Sequence, residues 1–145
     1  MPTLAILGAS GYAGQETLDR ALRHPELEVV ALGSDSLAGE SASALDVRLN
    51  GSLPAFVPNG EALAAGADLI VACLGNDRAA VLEPPAGAVV IDLSGAHRLA
   101  EASLYPEWYG FEHPKPETPD LASTTTLASS IAPRNGSSAR IAAVA

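Results

Sequence analysis

Short aliphatic runs punctuate this chain at residues 3–7, 28–32, 68–74 and 88–93, each built mainly of Val, Ile, Leu and Ala. An antiparallel strand with one wet face alternates apolar and polar residues, whereas an unbroken run of this length suits a strand buried on both faces. Between the first two runs, Leu18, Ala21 and Leu22 fall at helical spacing, and Pro25 closes that stretch just after His24. Residues 61–65 and 77–82 read as short helices ahead of the next strands. Strand and helix therefore alternate, which predicts an α/β fold of the Rossmann type, doubly wound around a mostly parallel sheet. Residues 33–60 are less regular; 53–58 reads as a strand, and Pro54 and Pro58 confine it to an edge or an extended connection.

The composition changes near Thr118. Residues 121–138 are rich in Ala, Ser and Thr with almost no charge, and residues 139–145 again read as strand. The expected division is an α/β unit over 1–117, which the glycine turn described next marks as dinucleotide-binding, and an Ala/Ser/Thr-rich tail over 118–145, the start of a further domain or a poorly packed end. At 145 residues the chain suits one domain. With 17 acidic and 8 basic residues it carries a net charge of −9, and no basic cluster is present to displace counterions from nucleic acid or an anionic membrane. One cysteine excludes an internal disulfide and a multi-thiolate zinc site. The three histidines have no metal-ligand spacing, so no metal is expected. The longest apolar run, 69–74, is far short of the roughly 18 residues of a membrane helix. The opening residues lack a signal-peptide pattern, so a soluble, cytoplasmic protein is expected, with self-association of an aromatic patch a further possibility.

The chemistry begins directly after the first strand, at Gly8-Ala9-Ser10-Gly11-Tyr12-Ala13-Gly14. A diphosphate needs close approach of backbone N–H groups and gains from the positive end of a helix dipole. Gly8 permits the tight turn, Gly11 removes a side chain that would block the phosphates, and Gly14 lets helix and strand pack closely. Out of context G-x-x-G-x-x-G is a weak motif; between a buried strand and an amphipathic helix it is a stronger one. Ser10 can contact a phosphate or cap the helix.

The second strand runs into Ser34-Asp35, roughly 20 residues beyond the glycines, where a dinucleotide's adenosine ribose is read. Asp35 can accept bonds from ribose hydroxyls, which favours NAD, or be a solvated turn residue. Ser34 can donate to the 2′-phosphate of NADP, although no arginine adjoins it in sequence. Leu74 and Gly75 stand at the end of the third run, and Ser94 and Gly95 follow the fourth, at edges where ligands collect in open α/β sheets. Arg98 can hold a substrate phosphate in a bidentate contact, or pair with Asp92 to brace the turn. His97 reads as a surface or turn residue, His24 and His113 as structural. Cys73 reads as a small apolar member of a buried strand with an unreactive thiol. Tyr105, Trp108, Tyr109 and Phe111 read as a packing patch.

Taken in order, Gly8–Gly14, His24-Pro25-Glu26, Ile91-Asp92-Leu93-Ser94-Gly95-Ala96-His97-Arg98, Trp108-Tyr109-Gly110 and His113-Pro114 resemble N-acetyl-gamma-glutamyl-phosphate reductase, a family similar to aspartate-semialdehyde dehydrogenase. The likeness spans residues 3–116, about the first third of a family member. It implies a Rossmann-type domain binding NADP(H), with NAD not excluded, and NADPH-dependent reduction of an acyl phosphate in arginine biosynthesis. In that chemistry a cysteine thiolate displaces phosphate to form a thioester, and hydride reduces the thioester to the semialdehyde.

The chain also departs from the family. The Pro-Gly-Cys-Tyr motif that carries the family's nucleophile is not in this sequence, nor are its catalytic histidine and second domain. Many relatives have histidine near Asn76, and a Tyr-Gly-Leu-Pro-Glu-like segment where this chain reads Thr124 to Ser130. The expectation is a truncated or frame-shifted product, inactive alone, with no catalytic residue of its own and N-acetyl-glutamyl phosphate bound only if the absent domain is supplied. Two other readings stand beside it: a stand-alone nucleotide-binding or regulatory module, and an aspartate-semialdehyde dehydrogenase relative serving another acyl phosphate.

Overall fold

The computed structural model of the chain describes residues 1–46, 49, 53–115 and 140–143. Its order is β1 (Thr3–Leu7), α1 (Tyr12–Leu22), β2 (Glu28–Gly33), β3 (Phe56–Val57), α2 (Asn59–Leu63), β4 (Leu69–Ala72), α3 (Asn76–Ala80), β5 (Val89–Asp92), α4 (Tyr105–Tyr109) and β6 (Arg140–Ala143). Single turns of 3-10 helix lie at Ala42–Ala44 and Ala102–Leu104. The strands form one six-stranded sheet in the order β3-β2-β1-β4-β5-β6, and every neighbouring pair is parallel. That is the order of a doubly wound dinucleotide-binding sheet, and its direction reverses between β1 and β4.

The aliphatic runs are buried on both faces, as their lack of alternation predicts. Leu4 and Ile6 point to one side of β1 and pack with Leu18 and Ala21 of α1, Leu32 and Phe56. Ala5 and Leu7 point to the other side, into a second cluster with Ala62 of α2, Ile70, Ala72 and Val90. Each helix thus covers a different face, and β1 lies at the centre of both. Ile6 faces Leu32 on one side in the sheet and Val71 on the other. On the wet side of α1, Glu16 pairs with Arg20, and Arg23 with Asp19 at 2.8 Å.

The boundaries shift where proline and glycine decide them. β3 has two residues, an edge strand between Pro54 and Pro58. α2 begins at Asn59, two residues before the start read from sequence. β4 stops at Ala72, so Cys73 lies just beyond the strand rather than within it. α4 is a short helix that the hydropathy pattern did not announce. Arg140–Ala143 pairs with Val89–Asp92, so the sheet takes its sixth strand from the 118–145 stretch, as the strand-like reading of 139–145 anticipates. The expected poorly packed segment 121–138 lies outside the described residues. Among the described residues no helix is long and apolar enough to cross a membrane.

Leu18 is the α1 side chain buried to 0% exposure between helix and sheet, whereas Val81 is 57% exposed. Leu18→Ala is expected to lower unfolding free energy by about 2–5 kcal/mol, and Val81→Ala by at most about 0.5 kcal/mol. Urea titration followed by circular dichroism measures both; equal losses would contradict the assigned core.

Candidate functional site

The chain turns from β1 into α1 through backbone contact too close for side chains. Gly8 has φ +69°, and a Cβ there would fall under 3.0 Å from the Cys73 carbonyl oxygen at the end of β4. Gly14 is buried in the first turn of α1, and a Cβ there would collide with the Gly8 carbonyl and the Ala9 backbone. Gly11 differs: it is exposed, and its hypothetical Cβ would meet only the Gly8 oxygen, at an ordinary 3.5 Å. Gly8 and Gly14 are required by the protein itself. The bare surface at Gly11 matters to whatever approaches it.

Gly11 is the N-cap of α1, and no side chain caps that end among the described residues. The Gly11 N–H closes the turn on the Gly8 carbonyl at 3.1 Å, and the Gln15 N–H bonds the Gly11 carbonyl. The amides of Tyr12, Ala13 and Gly14 belong to the first helical turn, whose N–H groups have no intrahelical acceptor. Tyr12 is 97% exposed, so its ring stands clear of this end. An eleven-residue helix thus presents its positive end at the carboxyl edge of the sheet, beside the β1/β4 reversal.

Ser10 does not cap the helix. Its hydroxyl lies 2.7 Å from that of Ser34, tying the glycine turn to the end of β2. Ser34 is buried and also accepts the Leu37 N–H at 3.3 Å. Asp35 is bonded on both oxygens: Oδ1 accepts the Asn59 N–H at 2.8 Å, and Oδ2 is paired with Arg78 of α3. Asn59, first through its backbone and then through its side chain, and after it Arg78, hold the Asp35 carboxyl at about 2, below its ordinary 3.8. The Asn59 side-chain oxygen in turn accepts the Gly8 N–H at 2.8 Å.

Leu74 packs half-buried between two apolar clusters, and Gly75 is the exposed N-cap of α3. The side chain of Asn76 accepts the Gly95 N–H at 2.8 Å, joining α3 to the loop after β5. Ser94 and Gly95 are buried. The Ser94 N–H bonds Asp92 Oδ1 at 2.8 Å, the Ser94 hydroxyl accepts the Ala96 N–H at 3.0 Å, and the Tyr109 ring fills the space beside Gly95. Both residues hold the loop's shape.

Two readings of this loop are corrected. His97 is in a turn, but it is buried at 4% exposure, and its Nδ1–H donates to Asp92 Oδ2 at 2.7 Å. Asp92 is therefore held by His97 rather than by Arg98, whose Nη2 reaches the Ser94 carbonyl at 3.4 Å from an exposed position. Burial pushes the Asp92 carboxyl up, but His97 and the Ser94 amide and hydroxyl outweigh it, so its pKa lies below the ordinary value. His113, also buried, donates through Nε2 to the Ala96 carbonyl at 2.8 Å and accepts the Lys115 N–H on Nδ1, a structural role as expected. Tyr105 is fully buried against Tyr109, Phe111 and His113, whereas Trp108 is 69% exposed.

Cys73, half-buried at the end of β4, packs against the α1-side core with Thr17 Oγ1 at 3.7 Å from its sulfur. Burial raises its thiol pKa, the opposite of an activated nucleophile. Two residues at this edge escaped the sequence reading, Asn59 and Arg78. Asn59 follows a proline at a helix start, an available signal. Arg78 lies 43 positions from Asp35, and nothing local pairs them.

Gly11→Ala is expected to keep the fold, with melting temperature within a few degrees of the parent, while weakening dinucleotide binding at least tenfold. Gly14→Ala is expected to destabilise by roughly 1–3 kcal/mol from overpacking. Differential scanning fluorimetry and ligand titration on both variants measure the contrast. The lowered Asp92 pKa contributes stability present above its unfolded value, near pH 4, and lost as pH falls through its folded one. Asp92→Asn should therefore flatten the fall of the urea midpoint on acidification; an unchanged slope would contradict the account of this pair.

Comparison with known proteins agrees with this geometry. The family described as "Semialdehyde dehydrogenase, NAD binding domain" matches residues 3–127. An N-acetyl-gamma-glutamyl-phosphate reductase of Yersinia pseudotuberculosis is 37% identical over 127 residues, covering 81% of this chain and 38% of the relative. A LysW-L-2-aminoadipate 6-phosphate reductase of Deinococcus radiodurans is 40% identical over 118 residues, covering 79% of this chain and 34% of the relative. The chain thus spans little more than a third of the length of these relatives. Among solved structures, aspartate semialdehyde dehydrogenase with NADP from Candida albicans shares the fold, with TM-score 0.53 and 22% identity over 70% of this chain and 32% of that one. A β-α-β sheet of this order, opening through a glycine turn onto an uncapped helix and matched over most of its length, places the chain in the semialdehyde dehydrogenase NAD-binding-domain family.

Proposed function

We propose that this chain is the NADP(H)-binding part of an N-acetyl-gamma-glutamyl-phosphate reductase, which reduces an acyl phosphate to a semialdehyde. The observation that carries the reading is the bare, uncapped start of α1 at Gly11, facing the β1/β4 reversal. A diphosphate fits there: a side chain at position 11 would stand in its approach, and the first-turn amides supply donors without charged groups. Gly8, Ser10, Gly11, Tyr12, Ala13 and Gly14 form the diphosphate side. Ser34 and Asp35 lie toward the adenosine ribose, and Leu74, Gly75, Ser94 and Gly95 toward the nicotinamide. The bound coenzyme supplies hydride. The residues of this chain bind it, orient it and hold the β4 and β5 edges in place around it.

The acylation step belongs to a cysteine outside this sequence, because Cys73 is packed against the core and its thiol is raised. Arg98, exposed beyond the Ser94 turn, is the residue of this chain proposed to meet the substrate phosphate. The relatives' names share an acyl phosphate and differ in the amino acid that carries it.

Titration with NADPH and NADH, followed by nucleotide fluorescence, should show saturable binding that Gly11→Ala weakens. No binding at millimolar coenzyme would overturn the reading. Phosphate-dependent oxidation of N-acetyl-glutamate semialdehyde should be absent for the chain alone and appear when the cysteine-bearing remainder of a relative is added. Turnover by the chain alone would refute the assignment of the nucleophile elsewhere.

A further inference from the structure

The end of β2 carries conflicting signals for coenzyme choice. A carboxylate at Asp35 selects for free ribose hydroxyls, since an unpaired acidic group repels a 2′-phosphate. The structure removes that freedom. Asp35 Oδ1 is taken by the Asn59 amide, and Oδ2 by the guanidinium of Arg78, which α3 carries across from the far side of the β1/β4 reversal. A cation therefore stands where the local sequence shows only an anion. Ser34 lies beside it with a hydroxyl in contact with those of Ser10 and Ser36.

We propose that Arg78 reads the ribose 2′-phosphate of NADP(H), and that Asp35 serves to hold the guanidinium in place rather than to accept the ribose hydroxyls. The inference rests on the dinucleotide reading above and adds the residue that decides between the two coenzymes.

The energetics favour such an exchange. Both partners are partly exposed, 55% and 43% by side chain, and ion pairs so open to water contribute little. Arg78 can thus turn part of its fork from carboxylate to phosphate at small cost. Its five N–H groups in one plane match a phosphate in a bidentate contact while one edge stays on Asp35. The chain's net charge of −9 offers no general attraction for a group that brings further negative charge, so a cation at the site is the attraction available there. The neighbouring acidic residue on α3, Asp77, lies at the helix start beside Gly75. The low pKa of Asp35 keeps the holder ionised at every pH where coenzyme binding is measured.

The test is a titration of the full chain and its variants with NADPH, NADH and, by competition, 2′,5′-ADP against 5′-ADP. Arg78→Ala should weaken NADPH and 2′,5′-ADP roughly 10- to 100-fold, the range for losing a charge-assisted contact. NADH and 5′-ADP should change less than about twofold. Arg78→Lys should recover part of the NADPH loss, because a point charge replaces a fork. Asp35→Asn should weaken NADPH several-fold and weaken NADH less. Equal losses for the two coenzymes in Arg78→Ala, no loss in either, or a selective loss of NADH in Asp35→Asn would each overturn the proposal while leaving dinucleotide binding intact. A parent chain that binds none of the four probes would instead bring down the dinucleotide reading itself.

Discussion

The site depends on one close approach. β1, the turn after it, the first turn of α1 and the end of β4 meet backbone to backbone, with Gly8 against the Cys73 carbonyl and Gly14 against Gly8 and Ala9. No side chain fits between them. The helix is therefore drawn down onto the sheet with its amide end at the carboxyl edge, where the sheet order reverses. Moving α1 outward by the thickness of one methyl group would carry those amides away from the reversal. The dipole would remain, but its placement would not.

From that contact a line of hydrogen bonds crosses the carboxyl edge. The Gly8 N–H is held by the side chain of Asn59, the Asn59 amide by Asp35, and Asp35 by Arg78 on α3. On the same helix Asn76 holds Gly95 after β5, and Asp92 braces that loop through Ser94 and His97. The segments after five parallel strands are thereby fixed relative to one another by side chains that are themselves bonded. Preorganisation of this kind limits the conformational entropy lost when a ligand is bound. The arrangement suits binding and orientation. Covalent chemistry needs an activated nucleophile, and the thiol that this edge carries is pushed toward its neutral form.

Much of the fold was legible because strand burial is a local property of composition. Runs such as Leu4 to Leu7 have no polar position to turn toward water, so they lie between two helical layers. Part of the glycine spacing was legible for a similar reason, since the left-handed turn at Gly8 and the contact of Gly14 with Gly8 and Ala9 are local, whereas the Cys73 carbonyl against Gly8 is not. Boundaries at Cys73 and Asn59 were less so, because the last residue of a strand is set by its neighbour's register. The aromatic segment is a third case: Tyr105 is buried and Trp108 is exposed on the same short helix, a difference that only the packing partners decide.

The sequence by itself determined the sheet's parallel character and the turn that opens onto α1, because each is written in contiguous residues. Only the tertiary structure decided the partners of the ionised groups. His97 reads as a surface or turn residue and is the buried mate of Asp92; Asp35 reads as a ribose contact or a solvated turn residue and is bonded on both oxygens. The physical reason is range. Sterics and hydropathy act over a few neighbouring positions, whereas an ion pair forms between whichever charges the packed layers bring within reach, here across 43 residues of chain.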